Sequence, residues 1–289
     1  MGSVRERLPS SLSNIATVPV AYCGTMPTAL ITGGTSGIGA EFARALAAKG
    51  YDLVLVARDV ARLEAMAAEL PVKVEVLPAD LSDRAQVDRV AERLERQDAP
   101  IDLLVNNAGF SVKALLTDRD VSAHDLGYEV MMRAVLVLGG AAGRAMRERG
   151  RGRIINVAST AAFVTMGSYS AIKSWVLSYS EGLSIELRGT GVTVTALCPG
   201  WVHTEFHERA GVSMSKLPAA MWLDAAPLVA AALRDSERGK VVSIPSVRYK
   251  VMMWLARVGP KSAVRAVSAK LSSSRRKPTA PAEQAESHL

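Results

Sequence analysis

Seven short apolar segments alternate with helical segments along the chain, and this alternation limits the fold more than any other feature. The segments are TALITGG (28–34), YDLVLVAR (51–58), VKVEVLPAD (72–80), IDLLVNNAG (101–109), GRIINVAS (152–159), GVTVTALCPG (191–200) and GKVVSIPS (239–246). Nearly continuous apolar strands are typical of a parallel sheet that helices cover on both faces. We therefore predict an α/β fold with one doubly wound, parallel, seven-stranded sheet and a ligand crevice at the carboxyl ends of its strands.

A glycine-rich turn, TGGTSGIG (32–39), follows the first apolar segment and opens the first helix. Its glycines permit a tight turn, close approach of a phosphate and close helix–strand packing, while the helix start offers free N–H groups. In this context the turn predicts a Rossmann-like nucleotide site, although a plain glycine-rich loop is the alternative. The candidate binding residues are Gly33, Thr35, Ser36, Gly37, Ile38 and Gly39.

The end of the second apolar segment bears on the choice of cofactor. A free ribose 2′-hydroxyl usually meets an Asp or Glu here, but this chain has Arg58. A guanidinium suits a 2′-phosphate through charge-assisted hydrogen bonds. Asp59, one residue further on, fits the N-cap of the next helix. The sequence therefore favours NADP(H) over NAD(H).

Tyr169 and Lys173 lie four residues apart in GSYSAIKSWVLSYSEGL (167–183), hence on one face of a predicted helix. One interpretation is a lysine whose stem is buried and whose ammonium reaches water. The other is catalytic, because a nearby ammonium lowers the pKa of a phenol, which can then exchange a proton with a substrate.

Taken together, these motifs resemble the short-chain dehydrogenase/reductase family over residues 28–245. The resemblance rests on TGGTSGIG, Asp80 and Leu81 after the third segment, NNAG (106–109), Ser159, the Tyr169–Lys173 pair and PGWVHT (199–204). Tyr169 is then implied to be the general acid or base. Lys173 would lower its pKa and bind the nicotinamide ribose, and Ser159 would hydrogen-bond the substrate oxygen.

The same resemblance implies further contacts with the cofactor. Asp80 and Leu81 would border the adenine, and Asn107, Ala108 and Gly109 would line the adenosine ribose. The nicotinamide would be held by Pro199, Gly200 and Val202, with Thr204 near the carboxamide or the pyrophosphate.

Two positions depart from the usual family pattern. Ser159 stands only ten residues before Tyr169, whereas many members have a longer spacing. The longer spacing would fall on Asn156 inside the strand, so a shortened loop after the strand is the better explanation. Thr160 is the alternative hydroxyl if Ser159 does not serve. Met131 occupies the place where many members have an Asn that helps a water to relay protons to the lysine. A thioether cannot supply an amide.

Composition and charge set the wider limits. The chain has 289 residues, 49% of them hydrophobic, and a net charge of +7, which indicates anionic partners. Two cysteines, Cys23 and Cys198, are too few for a disulfide framework, and no cluster has metal-ligand spacing. We expect a cytoplasmic protein with no bilayer-spanning segment, no metal and no nucleic-acid partner.

We predict four parts: a flexible leader (1–26), the dinucleotide-binding and catalytic domain (27–246), a basic amphipathic helical extension (247–271) and a disordered tail (272–289). Residues 205–222 are expected to form a mobile lid over an apolar substrate. The extension either packs on its own domain or a second subunit, or lies on an anionic membrane.

The predicted function is NADP(H)-dependent interconversion of a ketone or 3-oxo group and a secondary alcohol, by hydride transfer with a Tyr general acid or base, on an apolar or lipid-like substrate. We expect the protein to form a homodimer or homotetramer. The alternative, motivated by Met131, is an NADP(H)-binding sensor or scaffold with weak catalysis.

Overall fold

The computed structural model describes residues 26–204 and 218–273. Within them, seven parallel strands form one sheet in the order β3-β2-β1-β4-β5-β6-β9, which confirms the predicted doubly wound α/β fold. These strands are Thr28–Thr32 (β1), Asp52–Ala57 (β2), Val74–Pro78 (β3), Leu103–Asn106 (β4), Gly152–Val157 (β5), Val192–Leu197 (β6) and Val242–Ser243 (β9). Two short strands, Trp201–Val202 (β7) and Trp222–Leu223 (β8), pair separately.

Helices cover both faces of this sheet. The α-helices of the described residues are Gly37–Ala48 (α1), Val60–Glu69 (α2), Arg84–Glu95 (α3), Ser122–Tyr128 (α4), Ala134–Arg149 (α5), Ser168–Glu186 (α6), Ala225–Glu237 (α7), Val247–Val258 (α8) and Lys261–Ser273 (α9). One core cluster joins the sheet to α1, α2 and α7, and a second joins it to α3, α5 and α6. A π-helical turn, Glu129–Arg133, connects α4 to α5.

Strand order reverses between β1 and β4, because the chain builds outward to β3 and then returns to the other side of β1. The loops that leave β1 and β4 therefore separate and open a crevice at their carboxyl ends. The glycine-rich turn and the NNAG segment follow these two strands, so the topology brings both motifs to the crevice.

The continuous helical stretch 122–149 is long and apolar enough to cross a bilayer by length and composition alone, contrary to our expectation that no segment would be. Half of its most apolar window is buried inside the fold. Side chains such as Leu138, Ala142 and Met146 belong to the core between α3 and the sheet. This burial is what a core helix of a doubly wound domain requires.

The predicted extension contains α8 and α9, which Gly259 and Pro260 separate. Helix α9 continues to Ser273, two residues into the predicted tail. The predicted leader up to residue 25 and the predicted tail from residue 274 lie outside the described residues, as do residues 205–217 of the predicted lid.

Candidate active site

The glycine-rich turn has the geometry that its sequence predicts. Gly33 and Gly37 have φ of +67° and +53°, where a side chain would be strained. A Cβ on Gly39 would stand 2.1 Å from the carbonyl oxygen of Gly33, so the helix passes too close to the turn for any other residue. Ser36 is the N-cap of α1, but its hydroxyl forms no capping hydrogen bond. The first N–H groups of α1 are therefore suited to an anion.

The NNAG segment braces this turn. The Asn107 side-chain amide donates to the carbonyl oxygens of Thr32 and Gly33 at 3.0 and 3.1 Å. The Thr32 hydroxyl accepts hydrogen bonds from the backbone N–H groups of Asn107 and Ala108. The Asn107 amide thus stabilises the conformation of the glycine-rich turn, a role that the sequence motif did not predict.

Arg58, Asp59 and Asp80 lie at the ends of the neighbouring strands β2 and β3. Asp59 caps α2 by accepting from the Arg62 backbone N–H at 3.1 Å, as predicted. Partial burial acts to raise the pKa of Asp80, but hydrogen bonds from Ser82 and the charge of Arg58 outweigh it and lower that pKa. Arg58 is exposed and forms no hydrogen bond within the described residues, so its guanidinium is accessible to a phosphate.

Leu81 differs from the other candidates for the adenine site. Its side chain is buried in the core cluster with α3. Any contact of Leu81 with a ligand would therefore have to come from its backbone, whereas the Asp80 side chain is partly exposed.

Tyr169 and Lys173 lie on one face of α6, and the Lys173 ammonium is 5.7 Å from the centroid of the Tyr169 ring. Lys173 is 4% exposed, and its Nζ donates to the carbonyl oxygen of Val157 at 2.8 Å. Burial lowers the pKa of Lys173 from its ordinary 10.5 to about 8, although the neighbouring Cys198 opposes this change. Its ammonium is thus held beneath the phenol instead of reaching water, so the snorkelling interpretation is wrong.

Ser159 follows the end of β5 and caps a short 3₁₀ helix, Thr160–Phe163. Its Oγ accepts from the Ala161 N–H at 3.1 Å, which leaves its own O–H available as a donor. The backbone N–H of Thr160 donates to the carbonyl oxygen of Pro199 and so ties this turn to the PG motif. Asn156, the longer-spacing alternative, is fully buried inside β5 and hydrogen-bonds Asn106 and Ser180.

Met131 lies in the π-helical turn and is 1% exposed. Its Sδ would be 3.1 Å from a Cβ built on Gly109, and Lys173 Nζ would be 3.7 Å from the same point. The thioether therefore lies beside Tyr169 and Lys173, in an apolar cluster with Val112 and Ile172 against which Tyr169 packs. Gly109, which lacks a side chain, leaves room for both groups.

The PG motif is held by a residue of the predicted extension. The Tyr249 ring packs against Gly200, where a Cβ would come within 2.1 Å of it. The Tyr249 hydroxyl accepts from the Trp201 N–H at 3.1 Å and donates to the Met221 carbonyl oxygen at 2.8 Å. The Val202 side chain is buried in the core. Sequence reasoning missed this clamp, because Tyr249 is far from the motif along the chain.

Thr204 connects the PG motif to the phosphate end. A Cβ on Gly37 would stand 3.3 Å from the Thr204 Cβ, so Thr204 lies against the glycine-rich turn. This position fits the pyrophosphate alternative for Thr204. Nearby, the exposed His203 stacks on Trp222 with ring centroids 4.8 Å apart.

A buried histidine links the start of α6 to the segment after β4. His124 Nδ1 and the Ser168 hydroxyl are 2.6 Å apart, and His124 Nε2 is 3.1 Å from the Leu115 carbonyl oxygen. Because a carbonyl only accepts, Nε2 carries a proton. This link adjoins Tyr169 and had no signal in the sequence.

A doubly wound sheet with a glycine-rich turn at its reversal point, and a Tyr–Lys pair beside the same crevice, defines the class of dinucleotide-binding oxidoreductases. The pattern of the short chain dehydrogenases matches residues 27–213. The chain therefore belongs to the short-chain dehydrogenase/reductase family, as the motifs predicted.

Named relatives and solved structures share this pattern. The "Monensin polyketide synthase putative ketoacyl reductase" of Streptomyces virginiae is 44% identical over 200 residues, which cover 64% of this chain and 74% of the relative. A short-chain dehydrogenase from Sphingobium yanoikuyae in complex with NADPH is 37% identical, with a TM-score of 0.73 over 83% of this chain and 97% of that one. The bulky-bulky ketone specific alcohol dehydrogenase from Comamonas testosteroni is 32% identical, with a TM-score of 0.69 over 83% and 95% of the two chains.

Proposed function

We propose that this chain is an NADP(H)-dependent oxidoreductase that interconverts a ketone, including a 3-oxo group, and a secondary alcohol on an apolar or lipid-like substrate. The observation that carries the proposal is the buried Lys173 ammonium beneath the Tyr169 ring, 5.7 Å from its centroid. A protonated lysine there stabilises the phenolate form of Tyr169. Reduction of a carbonyl needs a group that readily donates a proton to the substrate oxygen, and a tyrosine with a stabilised phenolate can do this.

Each catalytic residue has one task. Tyr169 gives its proton to the substrate oxygen during reduction and takes it back during oxidation. Lys173 stabilises the phenolate that forms in the first case. Ser159, whose O–H is left to donate, hydrogen-bonds the same substrate oxygen and fixes its position.

The residues at the crevice fit NADP(H), which when bound supplies or accepts a hydride. The turn from Gly33 to Gly39, including Thr35, Ser36 and Ile38, would hold the pyrophosphate, since it offers close backbone approach and a helix start. Arg58 would bind the 2′-phosphate. The Sphingobium relative that is named in complex with NADPH supports this choice.

Apolar side chains support a hydrophobic substrate. Val112, Met131 and Ile172 pack together, with Phe110 and Tyr169 partly buried against them. The relatives named for a ketoacyl group and for bulky ketones agree with a substrate of this class. The ketone's chain would contact the partly buried Phe110 at the edge of this cluster while its oxygen meets Tyr169.

The test is NADPH oxidation with ketones of graded size and apolarity. Tyr169→Phe should lower turnover by ~10²-fold or more while NADPH binding and folding are retained, because only the proton donor is removed. Tyr179→Phe is the matched control: it lies on the same helix, stacked on Trp175, away from Lys173. Near-normal turnover in Tyr169→Phe would overturn the assignment.

The alternative function, an NADP(H)-binding sensor or scaffold with weak catalysis, rests on Met131. Its thioether lies beside Lys173 and cannot join a proton relay. A sensor would bind NADPH but oxidise it with no ketone in the screen, which separates the two functions.

The subunit count and compartment belong to the same proposal. Leu136 on α5 and Ile185 on α6 are 50% and 63% exposed, and such side chains suit a subunit contact. We infer that the protein is cytoplasmic and forms a homodimer or homotetramer, and light scattering would measure the mass of that assembly.

A further inference from the structure

We propose that helix α8 carries a surface that binds anionic membranes. Its apolar part, here called the exposed stripe, consists of Val247, Val251, Trp254, Leu255 and Val258. These side chains are between 53% and 73% exposed. Their positions i, i+4, i+7, i+8 and i+11 place them along one face of the helix.

The opposite face of α8 is already anchored to the domain. Tyr249 and Met253 are 4% and 6% exposed. The Tyr249 hydroxyl bonds the backbone at Trp201 and Met221. At the edge between the two faces, Arg248 donates to the carbonyl oxygen of Ala220. Because this face fixes the orientation of the helix, the stripe points away from the domain and remains on the surface of the described structure.

Cations flank the stripe on both sides. At 100° per residue, Lys250 and Arg257 fall along one edge of it and Arg248 along the other. This is the arrangement of a helix that lies in a membrane interface, with apolar residues inserted and cations at the level of the headgroups. Two acidic groups on neighbouring helices face these cations. The Glu181 carboxylate is 3.8 Å from Arg257, and Asp235 has a pKa that the charge of Lys250 helps to lower.

Charge along the sequence supports an anionic partner. Residues 238–282 contain eleven Lys and Arg and no Asp or Glu. The whole chain has 35 Lys and Arg against 28 Asp and Glu, so the remainder has 24 against 28 and is net acidic. The net positive charge of this protein therefore comes from residues 238–282, the stretch of sequence that includes α8.

This charge also favours a bilayer over a second copy of the chain. A twofold dimer through the stripe would place the cationic edges of the two copies against each other. An anionic lipid surface would instead attract them, by ~1 kcal/mol for each Lys or Arg, or about fivefold in affinity. A membrane thus satisfies both the apolar and the charged parts of the surface.

Contact with a membrane would act close to the candidate active site. Helix α8 touches Gly200 and Met221 through Tyr249. Ser268 of α9 accepts a hydrogen bond from the Thr165 N–H, four residues before Tyr169. Both helices of the extension therefore brace backbone at the substrate side, yet the binding test below needs no turnover and is independent of the proposed activity.

The test is cosedimentation of the full chain with vesicles of phosphatidylglycerol and phosphatidylcholine in equal parts, and with phosphatidylcholine alone. We expect binding to the anionic vesicles that weakens as salt rises from about 0.1 M to about 0.5 M, because the charges are then screened. Tryptophan emission should shift to the blue on binding, and Trp254→Phe should remove most of that shift. Equal binding to both vesicle types, or binding to neither, would overturn the proposal.

Two variants test the two parts of the surface. Leu255→Glu should weaken binding at least tenfold, whereas Met26→Glu, at a side chain with the same 54% exposure outside the extension, should not. Lys250→Gln combined with Arg257→Gln should weaken binding about 25-fold. Melting temperatures verify that each variant is folded. If Leu255→Glu instead dissociates a dimer in light scattering and no vesicles bind, the stripe is a subunit interface and the proposal is wrong.

Discussion

Replacing Lys173 by Met should stabilise the protein at pH 7 while removing its activity. The ammonium is 4% exposed, and burial lowers the pKa of Lys173 from 10.5 to about 8. At 1.36 kcal/mol for each pH unit, keeping this buried lysine charged costs about 3 kcal/mol of folding free energy. Loss of its hydrogen bond to Val157 offsets about 1–2 kcal/mol of the gain. We therefore expect Lys173→Met to gain about 1–2 kcal/mol at pH 7.

The sign of the pH dependence follows from the direction of this pKa shift. Between about pH 8 and pH 10.5, the unfolded chain still binds the Lys173 proton while the folded chain does not. The wild-type protein thus recovers stability in this window as pH rises. Consequently, the advantage of Lys173→Met is largest below pH 8 and disappears towards pH 10.5.

Urea unfolding at pH 7 and pH 10 measures this difference, and NADPH oxidation measures turnover of the same samples. Turnover should fall ~10²-fold or more, because Tyr169 loses the charge that stabilises its phenolate. Lys73→Met, at an exposed lysine, is the control and should show no pH-dependent change of stability. The reasoning is refuted if Lys173→Met is less stable than the wild type at pH 7, or if its advantage is the same at pH 10.

Three further predictions concern the cofactor site and the relay. Arg58→Ala should weaken NADPH binding by at least tenfold and NADH binding little, measured by fluorescence titration, with Arg62→Ala as control; equal losses for both cofactors would exclude Arg58 as the discriminator. Gly39→Ala should abolish NADPH binding and cost about 1–3 kcal/mol, because its Cβ would meet the turn's backbone at 2.1 Å, whereas Gly182→Ala meets nothing within 4 Å and should be neutral or stabilising in melts. Met131→Asn should raise turnover per folded molecule at a cost of ~1–3 kcal/mol in stability; unchanged turnover in a folded variant would mean that the amide is not missing from the relay.

Sequence reasoning recovered the sheet because each strand carries its own signal. Central strands such as β2 and β4 are buried on both faces, as Leu53 and Leu104 show. A short run of apolar residues therefore predicts a strand even when its neighbours in the sheet are unknown. The extension was different. Whether α8 packs on the domain depends on Tyr249 meeting Gly200, a contact between distant residues that no local pattern encodes.

In the candidate site, too, the sequence predicted some features and missed others. Motifs predicted that Gly33, Arg58 and Ser159 lie at one edge of the sheet, since each closely follows the carboxyl end of a parallel β-strand. They did not predict what each side chain does there. The Asn107 amide holds the turn and the Leu81 side chain lies in the core, because hydrogen-bond partners and side-chain direction depend on tertiary packing.

The presence of Met131 and the lowered pKa of Lys173 are physically connected. Met131 Sδ and Lys173 Nζ both lie within 4 Å of the position of a Cβ built on Gly109. The thioether therefore occupies a place beside the ammonium where a polar group could solvate the charge. An amide at Met131 would solvate that charge and raise the pKa of Lys173 towards its ordinary value. The effects of Met131→Asn and Lys173→Met on stability should therefore not add. With the amide in place, removing the lysine relieves less desolvation, so the gain from Lys173→Met becomes smaller.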